Sequence, residues 1–151
     1  MASFGVRGWR RGAAVEMQHF RGMEKRQVNP WTWQDKLGFS QAWRLDGPQA
    51  IVLMAGQSAV AADGTLVGEG DLEAQVRQIF TNLRIVLEAS GASLDSIYKL
   101  VVYLTDIGNL PTYERIVADV LPGPKPCGTA LEVRALAAPG MMVEIDATAV
   151  L

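Results

Sequence analysis

Residues 143–150 alternate almost strictly. Val143, Ile145, Ala147 and Ala149 point one way, and Glu144, Asp146 and Thr148 the other, which is the two-residue period of a strand with one buried face. Residues 131–134 do the same, with Leu131 and Val133 set against Glu132 and Arg134. Pro139-Gly140 lies in the break between them, so an antiparallel hairpin, or two neighbouring strands, is the economical expectation. On that reading carboxylates collect on one face of two strands, with Gly128 and Ala130 sharing the parity of Glu132.

Upstream, the period changes to that of a helix. Over residues 71–89 Leu72, Val76, Ile79, Phe80, Leu83 and Leu87 fall on one face, Asp71 suits the cap and Gly91 stops the helix. Arg77, Arg84 and Glu88 form the solvated face. A second helix is expected over residues 110–121, capped by Asn109, with Pro111 in its first turn and Tyr113, Ile116, Val117, Val120 and Leu121 on one side. Residues 39–45 and 50–55 read as two strands joined by Asp46-Gly47-Pro48, a further hairpin. Trp31 and Trp33 lie on one side of an extended segment, where packing at the edge of the sheet is favoured over a ligand cage.

Residues 97–105 (Ile-Tyr-Lys-Leu-Val-Val-Tyr-Leu-Thr) are apolar on both parities. Helices can cover one side of such a strand. With only two helices, the other side most economically meets another subunit. The order strand, strand, helix, strand, helix, strand, strand predicts an α+β domain, a mixed sheet with both helices on one face.

Composition narrows this picture. A chain of 151 residues, 49% hydrophobic and 20% charged, is one soluble globular domain with a real core. No apolar run approaches the roughly 20 residues of a membrane span. The single cysteine, Cys127, excludes an internal disulfide and a cysteine-rich metal site, and makes a reducing compartment, the cytoplasm, the default. The net charge of −2 hides an asymmetry. Before Gln27 six basic residues face Glu16 and Glu24, whereas the remainder carries eight basic and fourteen acidic residues. So acidic a body disfavours nucleic acid as a partner. Residues 1–26 are expected to be a basic, loosely ordered tail and residues 27–151 the domain. An export signal lacks the apolar stretch after Arg10-Arg11, and a mitochondrial-type presequence fits the arginine content without a clean amphipathic face.

Candidate chemistry is sparse. His19, the only histidine, lies in the tail, so neither a Ser–His–Asp nor a Cys–His arrangement has a base, and histidine metal sites are excluded. The Gly-rich loops at 62–70 lack phosphate-binding spacing. Cys127 reads as a small buried thiol, with only Lys125 near it to lower its pKa. Carboxylate chemistry remains. Glu144 and Asp146 share a strand face, and a partly desolvated Glu144 can act as a general acid/base. A structural ion-pair cluster with Arg134 is the competing reading.

Six stretches then carry a resemblance: Gly-Phe-Ser-Gln-Ala at 38–42, Ala-Gly-Gln at 55–57, Asp-Leu-Glu-Ala-Gln at 71–75, Leu-Glu-Ala-Ser-Gly-Ala-Ser-Leu at 87–94, Val-Tyr-Leu-Thr-Asp at 102–106 and Val-Glu-Ile-Asp-Ala at 143–147. In this order the chain resembles the Rid family, the reactive-intermediate deaminases also called the YjgF family, from about residue 30 to 150. The resemblance implies a chorismate-mutase-like fold and a homotrimer whose sheets pack into a central barrel with clefts between subunits. It also implies release of ammonia from short-lived enamines and imines such as 2-aminoacrylate, with no metal or cofactor.

Carried over residue by residue, the resemblance points to a divergent branch. Archetypal members have an arginine, which grips the substrate carboxylate in a bidentate pair, where this chain has Gly128 within Pro126-Cys127-Gly128-Thr129. Lys125 or Arg134 could replace it only with different geometry. The family's tyrosine before Ser-Gln-Ala is Phe39, the serine of its Ser-Gly-Gln is Ala55, and the asparagine of its second helix is Glu114. The glutamate associated with the hydrolytic water is kept as Glu144. The expected site is therefore Glu144 as acid/base, with Phe39, Ala55, Glu114, Gly128 and Thr129 lining a substrate cleft without its anion clamp. The expected activity is hydrolysis or tautomerisation of an imine or enamine lacking the usual carboxylate. A non-catalytic ligand-binding or chaperone-like trimer with a relic cleft is the alternative. The ribonuclease activity sometimes attributed to the family is disfavoured by the acidic body.

Overall fold

The computed structural model describes residues 22–33 and 37–151. Helix α1 (Leu72–Ala89) begins where expected, because Asp71 Oδ1 accepts the Ala74 amide at 3.0 Å. It ends in a Schellman turn. Gly91 takes φ of 74°, its amide bonds the Glu88 carbonyl, and the Ala92 amide bonds that of Leu87. Helix α2 (Leu110–Val120) starts differently from expectation. Asn109 makes no side-chain cap bond, and the chain enters through a 3₁₀ turn at Ile107–Asn109 held by Asp106, which accepts the Gly108 amide. Exposed ion pairs link the helices: Arg115 reaches Glu73 at 2.8 Å, and Arg77 bridges Glu73 and Asp119.

Six strands complete the fold: β1 (Glu24–Val28), β2 (Ala42–Asp46), β3 (Ile51–Leu53), β4 (Ile97–Leu104), β5 (Cys127–Glu132) and β6 (Val143–Val150). Four form a mixed sheet in the order β3-β6-β4-β5, with β6 antiparallel to both neighbours and β5 parallel to β4. A parallel pair needs a long crossover, and α2 provides it. The architecture is the α+β arrangement expected. Both helices bury their apolar stripes in one core against Leu100, Val102, Leu104, Val143, Ile145, Ala147 and Ala149. Among the described residues no helix is long and apolar enough to cross a membrane.

The pairing of strands departs from expectation twice. Residues 131–134 and 143–150 do not form a hairpin, because β4 lies between β5 and β6. Nor do the two early strands pair with each other. Instead β2 pairs with β1 in a separate two-stranded ribbon and β3 joins the edge of the main sheet beside β6. Since β1 starts at Glu24, ordered structure begins before the boundary drawn at Gln27, while residues 1–21 lie outside the described residues. The ribbon is fastened to the loop before β5. The Lys125 carbonyl accepts from Ser40 Oγ and from Trp43 Nε1, the Ser40 amide donates to the Pro126 carbonyl at 2.9 Å, and Trp43 packs edge-on against Tyr98.

Register also fixes which residues share a face. Tyr103 lies opposite Leu131 on one side and Glu144 on the other, and Val101 opposite Thr129 and Asp146. These residues occupy the face away from the helices. Gly128 and Ala130 pair with Leu100 and Val102, so their parity, and that of Glu132, belongs to the helix side. Glu132 therefore does not join Glu144 and Asp146 on one face, and it accepts the Ile107 amide at 2.9 Å instead. On the bare face Ile51 and Leu53 are 62% and 78% exposed.

Candidate functional site

Strand β5 lies at the edge of the main sheet, and among the described residues the segment carrying Phe39 covers the gap between it and α2. A cavity of about 160 Å³ results. Its floor is Leu100 and Val102, its wall is Leu110, Tyr113, Glu114 and Val117 of α2, and its far side is Gly128, Thr129 and Ala130 of β5. Phe39 roofs Gly128 so closely that a Cβ there would stand 3.1 Å from the Phe39 Cβ. Trp33 lies edge-on to Phe39 at 6.1 Å and Trp31 continues the stack, yet both tryptophans are more than half exposed. They are thus not packed into the edge of the sheet as expected.

Among the described residues Glu114 is the one carboxylate in the cavity wall. It occupies the stripe of Leu110, Tyr113 and Val117, at the three- and four-residue spacing where α2 otherwise presents apolar groups. Among the described residues it has no ion pair, because Arg115, its neighbour in sequence, is committed to Glu73. Burial first, and the Glu114 charge second, push the Tyr113 hydroxyl well above the usual tyrosine pKa, so it remains a neutral phenol. No described residue of the lining is cationic. Lys125 donates its ammonium to the Leu121 carbonyl at the end of α2, and Arg134 is exposed, with no ion pair to Glu144 or Asp146 among the described residues.

Glu144 stands elsewhere. On the bare face its Oε2 accepts from Ser58 Oγ at 3.3 Å, and Asp146 Oδ2 accepts from Tyr103 Oη at 2.8 Å. Both carboxylates crowd over Gly56, where an added Cβ would lie 2.9 Å from Glu144 Cδ and 3.2 Å from Asp146 Oδ1. The bond to Asp146 chiefly, then burial and the charges of Asp146 and Glu144, raise the Tyr103 pKa. Glu144, Asp146 and Tyr103 border a shallow hollow with Val133 and Leu136.

Within one chain, then, Phe39, Glu114, Gly128 and Thr129 come together in the cavity, whereas Ala55 and Glu144 do not reach it. Ala55, exposed beside Gly56, belongs with the Glu144 cluster. Thr129 sits between the two regions, its hydroxyl accepting from Lys99 on the bare face at 2.8 Å. Sequence reasoning missed Tyr103, Ser58 and Gly56. The odd parity of Tyr103 within β4 was the available signal, but its partner depends on register. Cys127 is half-buried, with its thiol 3.9 Å from the Gln41 carbonyl.

These features define a small α+β protein with a ligand-sized cavity at one sheet edge and a carboxylate pair on the opposite face. A family described as endoribonuclease L-PSP matches residues 35–151. A RutC family protein of Pyrococcus horikoshii is 32% identical over 99 residues, 66% of this chain and 78% of its own. Protein mmf1 of Schizosaccharomyces pombe, described as mitochondrial, is 32% identical over 113 residues, 74% of this chain and 67% of its own. Among solved structures, YyfB of Yersinia pestis, a Rid family protein described as of unknown function, superposes with a TM-score of 0.76 at 34% identity, covering 84% of this chain and 98% of that one. A member of the YjgF/YER057c/UK114 family from Mycobacterium tuberculosis gives 0.59 at 29% identity, covering 85% of this chain and 100% of that one. The chain belongs to the Rid family, also called YjgF or RutC.

Proposed function

We propose that the protein is a cofactor-free homotrimer that hydrolyses, and thereby deaminates, or tautomerises an imine or enamine lacking the usual α-carboxylate, and that it represents a divergent branch of its family. The observation that carries this reading is Gly128. It stands where the family resemblance expects the carboxylate-gripping arginine, it is roofed directly by Phe39, and the described lining supplies no cation in its place. A carboxylate-bearing substrate would meet Glu114 unopposed, which costs binding energy.

Glu144 is assigned as the acid/base. In hydrolysis its carboxylate takes a proton from water as the oxygen bonds to the imine carbon. It passes that proton to nitrogen, giving a carbinolamine, and then carries the carbinolamine hydroxyl proton to the same nitrogen as the C–N bond breaks and the C=O bond forms, leaving carbonyl and ammonia. In tautomerisation the same group moves a proton between nitrogen and carbon. Ser58 orients the carboxylate, and Phe39, Ala55, Glu114, Gly128 and Thr129 line the substrate site. Because Glu144 lies on the bare face and the cavity on the helix side, one chain does not assemble this site. A trimer in which the bare face of one copy meets the β5 edge of another would do so. Exposed Ile51 and Leu53 on that face support such burial. The cytoplasm is the proposed compartment, with the mitochondrial label of mmf1 the competing indication.

The test is ammonia release from simple aliphatic imines, generated in situ by an amine oxidase, compared with 2-aminoacrylate generated by a dehydratase. Faster turnover of the carboxylate-free imine, lost in Glu144→Gln, is expected. Equal turnover in that variant would remove Glu144 from the mechanism. The separation of Glu144 from the cavity within one chain favours a second reading, a non-catalytic ligand-binding trimer, which predicts binding without turnover of any imine.

A further inference from the structure

The cavity wall contains a carboxylate where helix packing calls for an apolar side chain. Along α2, Leu110, Tyr113 and Val117 face β5, and Glu114 shares their stripe. Opposite it lie Leu100, Val102 and Ala130, with Phe39 above. Glu114 is half-buried, and a carboxylate beside such a surface is best complemented by a partner of opposite sign. None is present among the described residues. The basic residue next in sequence, Arg115, faces Glu73 at 2.8 Å, and Lys125 is bonded to the Leu121 carbonyl. Gly38 lies beside the stem of Glu114, since a Cβ there would stand 3.7 Å from the Glu114 Cγ.

Volume sets the size of the complementary ligand. Cavities of about 150 Å³ with aliphatic and aromatic linings accept a benzene ring, and this one offers about 160 Å³. We infer that the cavity binds a compact apolar cation, an ammonium or iminium carried on a body no larger than one six-membered ring, with its charge on Glu114 and its apolar part between α2, β5 and Phe39. This rests on the imine-directed reading above for its chemistry, but its binding step stands without it. It also makes the class of substrate specific: the iminium of a small apolar amine. In such a substrate the positive charge that activates the carbon towards water is the same charge that Glu114 holds.

Calorimetric titration of the full chain at neutral pH with benzylamine, benzyl alcohol and benzoate separates the alternatives, since the three share a ring and differ in charge. Benzylamine is expected to bind at least tenfold more tightly than benzoate. Glu114→Gln should abolish that preference while retaining binding of the alcohol. Ala130→Leu, which fills the cavity from an exposed strand position, should weaken all three ligands. Benzoate binding as tightly as benzylamine, a preference unchanged in Glu114→Gln, or no detectable binding of benzylamine would overturn the inference. Turnover distinguishes it from the catalytic reading. If benzylamine binds through Glu114 while Glu144→Gln leaves imine hydrolysis intact, the ligand class stands and the role of Glu144 falls. If benzoate is preferred, the ligand class falls whatever Glu144 does.

Discussion

The carboxylate of Glu144 occupies the space that a side chain on Gly56 would need. A Cβ at Gly56 would stand 2.9 Å from Glu144 Cδ, closer than carbon atoms pack, so the absence of a side chain in one loop sets the position of the acid on β6. Gly56 is not among the positive-φ glycines, and its backbone therefore admits alanine. Gly56→Ala should displace the carboxylate and reduce imine turnover by about tenfold or more, equivalent to about 1.4 kcal/mol of transition-state stabilisation. Steady-state kinetics combined with a thermal melt checks this, and a large fall in Tm with unchanged turnover per folded chain would contradict it.

Gly128 permits a complementary gain. Its missing Cβ lies 3.1 Å from that of Phe39, so a side chain fits only if Phe39 yields by a few tenths of an ångström. Gly128→Arg should therefore cost about 1 kcal/mol of stability and confer ammonia release from 2-aminoacrylate by restoring a carboxylate partner. Coupled ammonia detection reads the gain. A folded variant without it would show that the rest of the cavity, Glu114 foremost, rejects the anion.

Gln75 is fully buried on α1 and makes three bonds to backbone groups. Its Nε2 donates to the Gly68 and Gly140 carbonyls, and its Oε1 accepts the Met142 amide at 2.8 Å. Gln75→Leu keeps most of the volume but strands these groups, and it should cost about 3 kcal/mol in urea denaturation. A change within experimental error would show that water replaces the amide.

Alkaline stability should fall with a slope traceable to Tyr113. Its folded pKa lies above the ordinary tyrosine value of about 10, mainly through burial. Above pH 10 the unfolded chain therefore loses a proton that the folded chain retains, and stability declines as pH rises. Below pH 10 the contribution is complete. Tyr113→Phe should flatten the decline of the urea midpoint above pH 10, and an unaltered slope would assign the decline to other groups.

If the bare face is the subunit contact, Leu53→Asp should shift the assembly towards monomer. Light scattering would then give about 16.4 kDa in place of three times that mass. A wild-type mass of one chain would remove the trimer itself.

Much of this fold was legible where a period and its end signals agreed. α1 followed from its apolar stripe between Asp71 and Gly91, and β6 from strict alternation. Pairing was harder because strand order depends on contacts distant in sequence. Asp46-Gly47-Pro48 turns the chain but carries it from the β1–β2 ribbon to the far edge of the main sheet. Pro139-Gly140 likewise joins β5 and β6 across an intervening strand. The parity of Glu132 with Gly128 and Ala130 was read correctly. Its grouping with Glu144 failed because that required the two strands to be neighbours. Resemblance supplied the candidate residues, but their division between two faces became visible only with the register.

The ribbon's anchorage bears on the timing of ligand exchange. Phe39 directly precedes Ser40, and the bonds that fasten this part of the chain converge on the carbonyls of Lys125 and Pro126. The roof of the cavity is thus tethered to the same short loop that delivers β5, its far side. Loosening those few bonds parts roof from wall at once, so residence time should follow the strength of two peptide carbonyls as acceptors more than the grip of the cavity itself.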